Sequence, residues 1–125
     1  MKELLITGSK KTPQIELKEG SLSIKGRSIP EDPKNFYRPV LAWIKEYVKK
    51  PQQHTNVDLQ LEYCDTGSTK ELSEILKTMI NNLKLNNNNN TLTINWIYEK
   101  GDGEIIELGE LIENKLKVEF NFVEI

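Results

Sequence analysis

The sequence contains very little cysteine or histidine, no strong excess of charge of either sign, and no long apolar run. Cys64 is the only cysteine and His54 the only histidine, which argues against an internal disulfide or a cluster of cysteine metal ligands. The 17 basic and 19 acidic residues give a formal net charge of -2, which argues against a nucleic-acid binder with a broad electropositive face. No apolar run approaches the ~20 residues of a membrane span. We therefore expect a cytoplasmic protein with no metal site, no membrane segment and no nucleic-acid partner.

The apolar residues that are present alternate with polar ones over several short segments, as in strands with one buried face. The clearest segments are 21–25, 57–63, 91–98 and 117–123, and shorter candidates are 4–6 and 14–17. In segment 57–63 the alternation places Val57, Leu59, Leu61 and Tyr63 on the buried side. Residues 26–33 follow no regular pattern, and the asparagine run 86–90 is interpreted as a solvated loop. The sequence thus predicts six strands.

Apolar residues recur at helical spacing in segments 34–49 and 69–84, and 104–114 is predicted as a shorter helix. Because the strands are apolar on one side only, we expect an α/β fold of two layers, a mixed β-sheet with its helices packed on one face. The strand-helix-strand passages need crossovers and make part of the sheet parallel. The length suits one domain, which we expect to span residues 1–125.

The segment between the central strand and the second long helix is rich in hydroxyl groups. It reads Asp65-Thr66-Gly67-Ser68-Thr69-Lys70-Glu71, and its last four residues fit a capping box in which Ser68 is the N-cap and Glu71 the N3 residue. Thr66 is then predicted in the turn before the helix. Free N–H groups at a helix N-terminus favour negative charge, so the fold would tolerate a phosphate on Thr66.

Several short motifs lie along the chain, namely Thr12-Pro13-Gln14-Ile15, Gly26-Arg27-Ser28-Ile29-Pro30-Glu31-Asp32, Phe36-Tyr37-Arg38-Pro39-Val40 with Trp43, Leu61-Glu62-Tyr63 before Thr66, and Trp96-Ile97-Tyr98-Glu99 with Asp102. In this order and spacing they closely resemble the motifs of the SiaC family of bacterial regulatory phosphoproteins. The resemblance covers essentially the whole chain. It implies a fold similar to that of anti-sigma-factor antagonists, which is called STAS-like.

The resemblance also implies a function without enzymatic activity and without a cofactor. Members of the family are switched by a Ser/Thr kinase related to anti-sigma-factor kinases and by a PP2C-type phosphatase. The output partner that the resemblance implies is a GGDEF diguanylate cyclase. The unphosphorylated protein would bind and activate this cyclase, and phosphorylation would prevent it, which would place the chain in the control of c-di-GMP and biofilm formation.

The family's phosphoacceptor threonine falls on Thr66, with Ser68 and Thr69 as alternative acceptors. Asp65 stands where the family usually has asparagine and Gly67 where it has serine. We favour the interpretation that Asp65 caps the turn, since Asp and Asn both serve there. The alternative is that its charge makes the chain look slightly pre-charged to its kinase. The residues expected to form or shape the partner-binding surface are Asp65, Thr66, Gly67, Ser68, Thr69 and Lys70 in the turn, with Arg27, Ser28, Pro30 and Glu31 from the family motif.

An alternative function within the same resemblance is that of an anti-sigma-factor antagonist. Such a protein would sequester an anti-sigma factor and act on transcription rather than on a second messenger. The partner that co-purifies with the chain distinguishes the two, because one function predicts a cyclase and the other a histidine-kinase-fold anti-sigma factor.

An alternative from another class is an aspartic peptidase, because Asp65-Thr66-Gly67-Ser68 matches the signature of that class. Such enzymes have an all-β fold, whereas this chain predicts an amphipathic helix directly after the motif. The helical pattern therefore argues against a peptidase.

Overall fold

Six strands and three helices form over residues 1–86 and 89–125, the part of the chain that the computed structural model describes. The strands are β1 (Leu4–Ile6), β2 (Gln14–Lys18), β3 (Ser21–Ser28), β4 (His54–Cys64), β5 (Thr91–Tyr98) and β6 (Asn121–Glu124). The helices are α1 (Pro33–Tyr47), α2 (Thr66–Asn86) and α3 (Gly103–Leu116). Part of the asparagine run that was predicted as a loop lies outside the described residues.

The six strands form one mixed sheet in the order β1-β2-β3-β4-β5-β6. Strands β1, β2 and β3 are antiparallel neighbours, whereas β3, β4, β5 and β6 run parallel to one another. Each parallel connection contains one helix, and crossovers of this kind are almost always right-handed, so all three helices lie on the same face. The predicted two-layer α/β architecture is confirmed.

The core lies between the sheet and the helices. Leu59 and Ile94 from β4 and β5, and Ile44 and Leu76 from α1 and α2, are almost completely buried there. This packing explains why apolar and polar residues alternate along the strands, because only one side of each strand meets a helix.

The opposite face of the sheet carries a row of polar side chains. Asn95 donates through Nδ2 to Asp58 Oδ1 at 2.8 Å and to Asn56 Oδ1 at 3.1 Å. Asn121 donates in turn to Asn95 Oδ1 at 2.9 Å. These bonds join β4, β5 and β6, so polar side chains on the uncovered face also support the parallel pairing.

The ends of several elements differ from the sequence prediction. Strand β3 continues through Gly26 to Ser28, a stretch predicted as irregular. The last strand begins only at Asn121 rather than at residue 117, because Lys117 closes α3 in a left-handed conformation with φ of 56°. Helix α2 begins at Thr66, three residues before its predicted start.

A β-bulge interrupts the pairing of β3 with β4. The register passes from Gly26 opposite Leu61 to Arg27 opposite Tyr63, so Glu62 is an extra residue. Past such a bulge the side chains exchange faces. The prediction that Tyr63 lies on the buried side is therefore wrong, since its side chain is 46% exposed, while Cys64 is directed toward α2.

Candidate functional site

Asp65 caps the N-terminus of α2. Its Oδ1 accepts a hydrogen bond from the Ser68 amide at 2.8 Å, and its carbonyl oxygen accepts one from the Thr69 amide at 2.9 Å. The predicted capping box with Ser68 as the N-cap and Glu71 at N3 is wrong, because Ser68 itself is the N3 residue. Both residue types can cap a helix, but the earlier cap adds a turn of helix and leaves Ser68 free to point inward. The cap interpretation of Asp65 is confirmed.

We call Asp65 and the first turn of α2, residues 65–69, the Thr66 turn. Its three hydroxyl residues differ in their exposure. Thr66 is exposed, whereas Ser68 is fully buried. Thr69 is partly buried and donates through Oγ1 to the carbonyl oxygen of Asp65 at 2.9 Å. Of the three, Thr66 is therefore the side chain that a modifying enzyme can reach without opening the helix.

A chain of three buried hydroxyl groups lies beneath the turn and connects α1, β3 and α2. Ser28 donates to Ser68 Oγ at 2.7 Å, and its own oxygen lies 2.6 Å from the Tyr37 hydroxyl. Because the Ser28 proton is directed to Ser68, Tyr37 is the donor to Ser28. Burial raises the pKa of Tyr37 well above its usual range, so this donor stays protonated. We call this set the hydroxyl chain.

Two further contacts hold the turn against neighbouring segments. The Asp65 amide donates to the carbonyl oxygen of Ser28 at 3.0 Å. Gly67 packs so closely against Pro33, the first residue of α1, that a Cβ atom at position 67 would lie 2.8 Å from Pro33 Cγ. The two helices therefore begin almost in contact, which leaves little room for a side chain at position 67.

The uncovered face of the sheet contributes Arg27 and Tyr63 beside the turn. The Arg27 guanidinium carbon lies 5.6 Å from the centroid of the Tyr63 ring, within the range of a cation–π contact. Sequence reasoning identified Arg27 but missed Tyr63, because strict alternation placed that ring in the core. The sequence carries no sign of the extra residue that turns it outward.

The remaining predicted site residues lie on either side of the turn. Lys70 is exposed in the first part of α2. Pro30 is buried and Glu31 exposed in the segment between β3 and α1. The contacts that join this segment to the turn run through Ser28 and Pro33.

The described residues offer little support for other kinds of site. Within residues 1–86 and 89–125, no group of three or more His, Cys, Asp or Glu side chains could hold a metal ion. Burial raises the pKa of the Cys64 thiol to about 11, so it stays protonated near neutral pH. The mixed α/β sheet differs from the all-β fold that an aspartic peptidase requires. None of the helices in this part of the chain has the length and apolar character of a membrane span.

The chain is similar to known proteins over nearly its whole length. A sequence model of the SiaC family of regulatory phosphoproteins matches residues 6–125. An uncharacterized protein of Pseudomonas aeruginosa (strain UCBPP-PA14) is 28% identical over 112 residues, which cover 88% of this chain and 86% of that protein.

Two solved structures share the fold. SiaC of Pseudomonas aeruginosa superposes with a TM-score of 0.83 at 26% identity, over 98% of this chain and 97% of that one. A chain in the crystal structure of the diguanylate cyclase SiaD in complex with its activator SiaC, also from Pseudomonas aeruginosa, gives a TM-score of 0.82 at 26% identity, over 97% of both chains. The present chain belongs to the SiaC family of regulatory phosphoproteins.

Proposed function

We propose that this chain is a non-enzymatic regulator that, in its unphosphorylated form, binds and activates a diguanylate cyclase, and that a phosphate on Thr66 prevents this binding. The observation that carries the proposal is the exposure of Thr66 at the start of α2, beside the buried Ser68 and the hydrogen-bonded Thr69. The similarity to SiaC, which activates the cyclase SiaD in Pseudomonas aeruginosa, supports the choice of partner.

The effect of the phosphate on the isolated domain is small. It adds about -1.5 to -2 charges, which the amides of the helix N-terminus favour by ~0.3–1 kcal/mol at an exposed position. The Asp65 carboxylate that caps the same helix opposes it by a similar amount. These contributions nearly cancel, so the switch does not act by unfolding the domain.

The effect at a partner's surface is much larger. An unpaired charge that becomes buried in an interface costs several kcal/mol. Each ~1.4 kcal/mol lowers affinity tenfold. A phosphate on Thr66 would therefore prevent docking of any partner that covers the start of α2.

The docking surface that we propose consists of the exposed residues around the turn. Thr66 and Lys70 lie on α2, and Arg27 and Tyr63 lie on the sheet beside it. Tyrosine and arginine are the residue types that most often dominate binding energy at interfaces. Other predicted partner-binding residues, Ser28, Pro30 and Ser68, are buried, and we propose that they act by shaping this surface; Asp65, Gly67 and Thr69 position Thr66, and Glu31 lies at the margin.

The two modifying enzymes of the proposed switch are a Ser/Thr kinase related to anti-sigma-factor kinases and a PP2C-type phosphatase. The kinase would bring the ATP and the phosphatase its own metal ions, so the chain would act only as their substrate. An exposed threonine at a helix start suits this role, because its hydroxyl is accessible to both enzymes while the helix stays closed.

The first test of the proposal is phosphosite mapping by mass spectrometry on the chain recovered from its own host. Wild type and Thr66→Ala are compared, with Thr69→Ala as the matched control. We expect phosphate on Thr66 in the wild type and in Thr69→Ala, and none at this turn in Thr66→Ala. Phosphate found only on Ser68 or Thr69 would contradict the assignment.

The second test identifies the binding partner of the chain. The unphosphorylated chain is used as bait in a lysate of its host, and the captured GGDEF cyclase is assayed for c-di-GMP synthesis with the unmodified and the phosphorylated chain. We expect at least tenfold weaker activation by the phosphorylated form and no synthesis by the chain alone. Capture of an anti-sigma factor without a cyclase would overturn the proposal in favour of control of transcription.

A further inference from the structure

We infer that Tyr37 is a positioning residue for the docking surface, acting through the hydroxyl chain that ends on Ser68. The inference rests on the proposed function, because it concerns how the Thr66 turn is held in the shape that a cyclase recognises. Tyr37 is fully buried in α1 and reaches no partner itself.

The start of α2 lacks apolar anchors of its own. Residues 66–71 contain no large apolar side chain, and the first one that enters the core is Leu72. Helix ends fray when packing does not hold them. The first turn of α2, which carries Thr66, is therefore attached to the sheet and to α1 mainly by polar contacts and by the approach of Gly67 to Pro33.

The hydroxyl chain supplies the deepest of these polar contacts. Ser68 lies two residues after Thr66, and its side chain is fully buried against Ser28 at 2.7 Å. Ser28 gives its one proton to Ser68, and Tyr37 donates to the Ser28 oxygen at 2.6 Å. Loss of the tyrosine hydroxyl leaves the Ser28 oxygen without its donor while the turn is closed, and only an opened turn lets water replace that donor. The bond that holds Ser68 is weakened as a result.

The expected size of the effect follows from the usual net value of one buried hydrogen bond. Loss of one such bond changes the equilibrium between the closed and the open turn by about fivefold. The first turn of α2 would open about five times more often, and a partner that requires the closed turn would bind about five times more weakly. The rest of α2 is held by its buried apolar residues and should not change.

The same helix offers a matched control in Tyr47. Its hydroxyl is also fully buried and lies 2.7 Å from Thr55 Oγ1, at the opposite end of α1. It accepts a second bond from the Gln52 amide at 3.2 Å. The substitutions Tyr37→Phe and Tyr47→Phe therefore remove the same atom from equally buried sites, one beneath the Thr66 turn and one far from it.

The experiment measures amide hydrogen exchange by NMR and affinity for the cyclase captured by the wild-type chain. In Tyr37→Phe we expect the Ser68 and Thr69 amides to exchange about five times faster and the cyclase to bind about five times more weakly. In Tyr47→Phe we expect faster exchange at Gln52, unchanged exchange at Ser68 and Thr69, and unchanged affinity. Ser28→Ala, which removes both bonds of the hydroxyl chain, should act like Tyr37→Phe or more strongly, and replaces it if that variant fails to fold.

The outcomes distinguish the positioning role of Tyr37 from the proposed function of the chain. Equal exchange at Ser68 and Thr69 in both tyrosine variants, or equal cyclase affinity, would overturn the positioning role of Tyr37. A wild-type chain that binds no cyclase would instead overturn the proposed function. The exchange comparison alone would then decide whether the hydroxyl chain holds the turn.

Discussion

Asp65 and Gly67 are the two residues that give the Thr66 turn its particular form. Asp65 fixes where α2 begins, and Gly67 lets that beginning approach α1. Together the two residues determine which hydroxyl faces solvent. A cap three residues later would leave Thr66 in a loop and would turn Ser68 toward the helix amides.

The close approach of Gly67 to Pro33 leads to a stability prediction. Alanine has a higher helix propensity than glycine by roughly 1 kcal/mol, but its Cβ atom would lie 2.8 Å from Pro33 Cγ. Overpacking of this kind typically costs about 1–3 kcal/mol, so we expect Gly67→Ala to lower the free energy of unfolding by about 1 kcal/mol. Urea denaturation measures the change.

Gly103, the first residue of α3, is the matched control, because a Cβ atom there would meet no atom within 4 Å. Gly103→Ala should leave stability unchanged or raise it slightly. Combining Gly67→Ala with Pro33→Ala should recover most of the loss. A stabilised Gly67→Ala variant would show that the two helices separate easily at this point.

At the scale of whole elements, the sequence predicted the order and type of every strand and helix, because apolar periodicity records directly which side meets the core. It failed where two local signals compete. Asp65 and Ser68 are both good caps, and only the burial of Ser68 under the hydroxyl chain decides between them. That burial depends on Tyr37 and Ser28, which are distant in sequence.

The bulge in β4 could not be predicted from the sequence for a related reason. Glu62 fits the polar positions of the strand pattern, and only the pairing of β4 with β3 shows that it is an extra residue. A single missed residue reverses the faces of everything after it. Tyr63 was therefore assigned to the core, although the bulge is what brings it to the surface beside Arg27.

The outward position of Tyr63 leads to a prediction about binding. Because the ring is 46% exposed, Tyr63→Ala should change the free energy of unfolding by less than about 1 kcal/mol. If the ring is an anchor of the docking surface, its removal should lower cyclase affinity at least tenfold, or ~1.4 kcal/mol or more. Isothermal titration calorimetry with the captured cyclase measures the affinity.

The control for Tyr63→Ala is Leu111→Ala, which truncates another exposed large side chain, on the separate helix α3. We expect its cyclase affinity to equal that of the wild type. Equal affinities for all three proteins would remove Tyr63 from the docking surface while leaving the role of Thr66 intact.

At the scale of the whole molecule, the proposed switch would place the phosphate on a turn at the edge of a packed sheet and its helices. The sheet and helices share a continuous core. The Thr66 turn lies at the edge of this core, so a phosphate there would face water on one side and the N-terminus of α2 on the other. A switch built in this way can alter what the surface binds without altering the fold that presents it.

This arrangement leads to a prediction about the phosphorylated protein. The favourable helix amides and the unfavourable Asp65 carboxylate each contribute at most ~1 kcal/mol at an exposed site, so phosphorylation of Thr66 should shift the melting temperature by less than about 5 °C. Differential scanning calorimetry on the two forms measures the shift, with Thr66→Ala as a control for loss of the side chain. Cyclase binding by the same samples should fall at least tenfold. A much lower melting temperature for the phosphorylated form would mean that the phosphate opens α2, and the switch would then act by local unfolding rather than by charge at the docking surface.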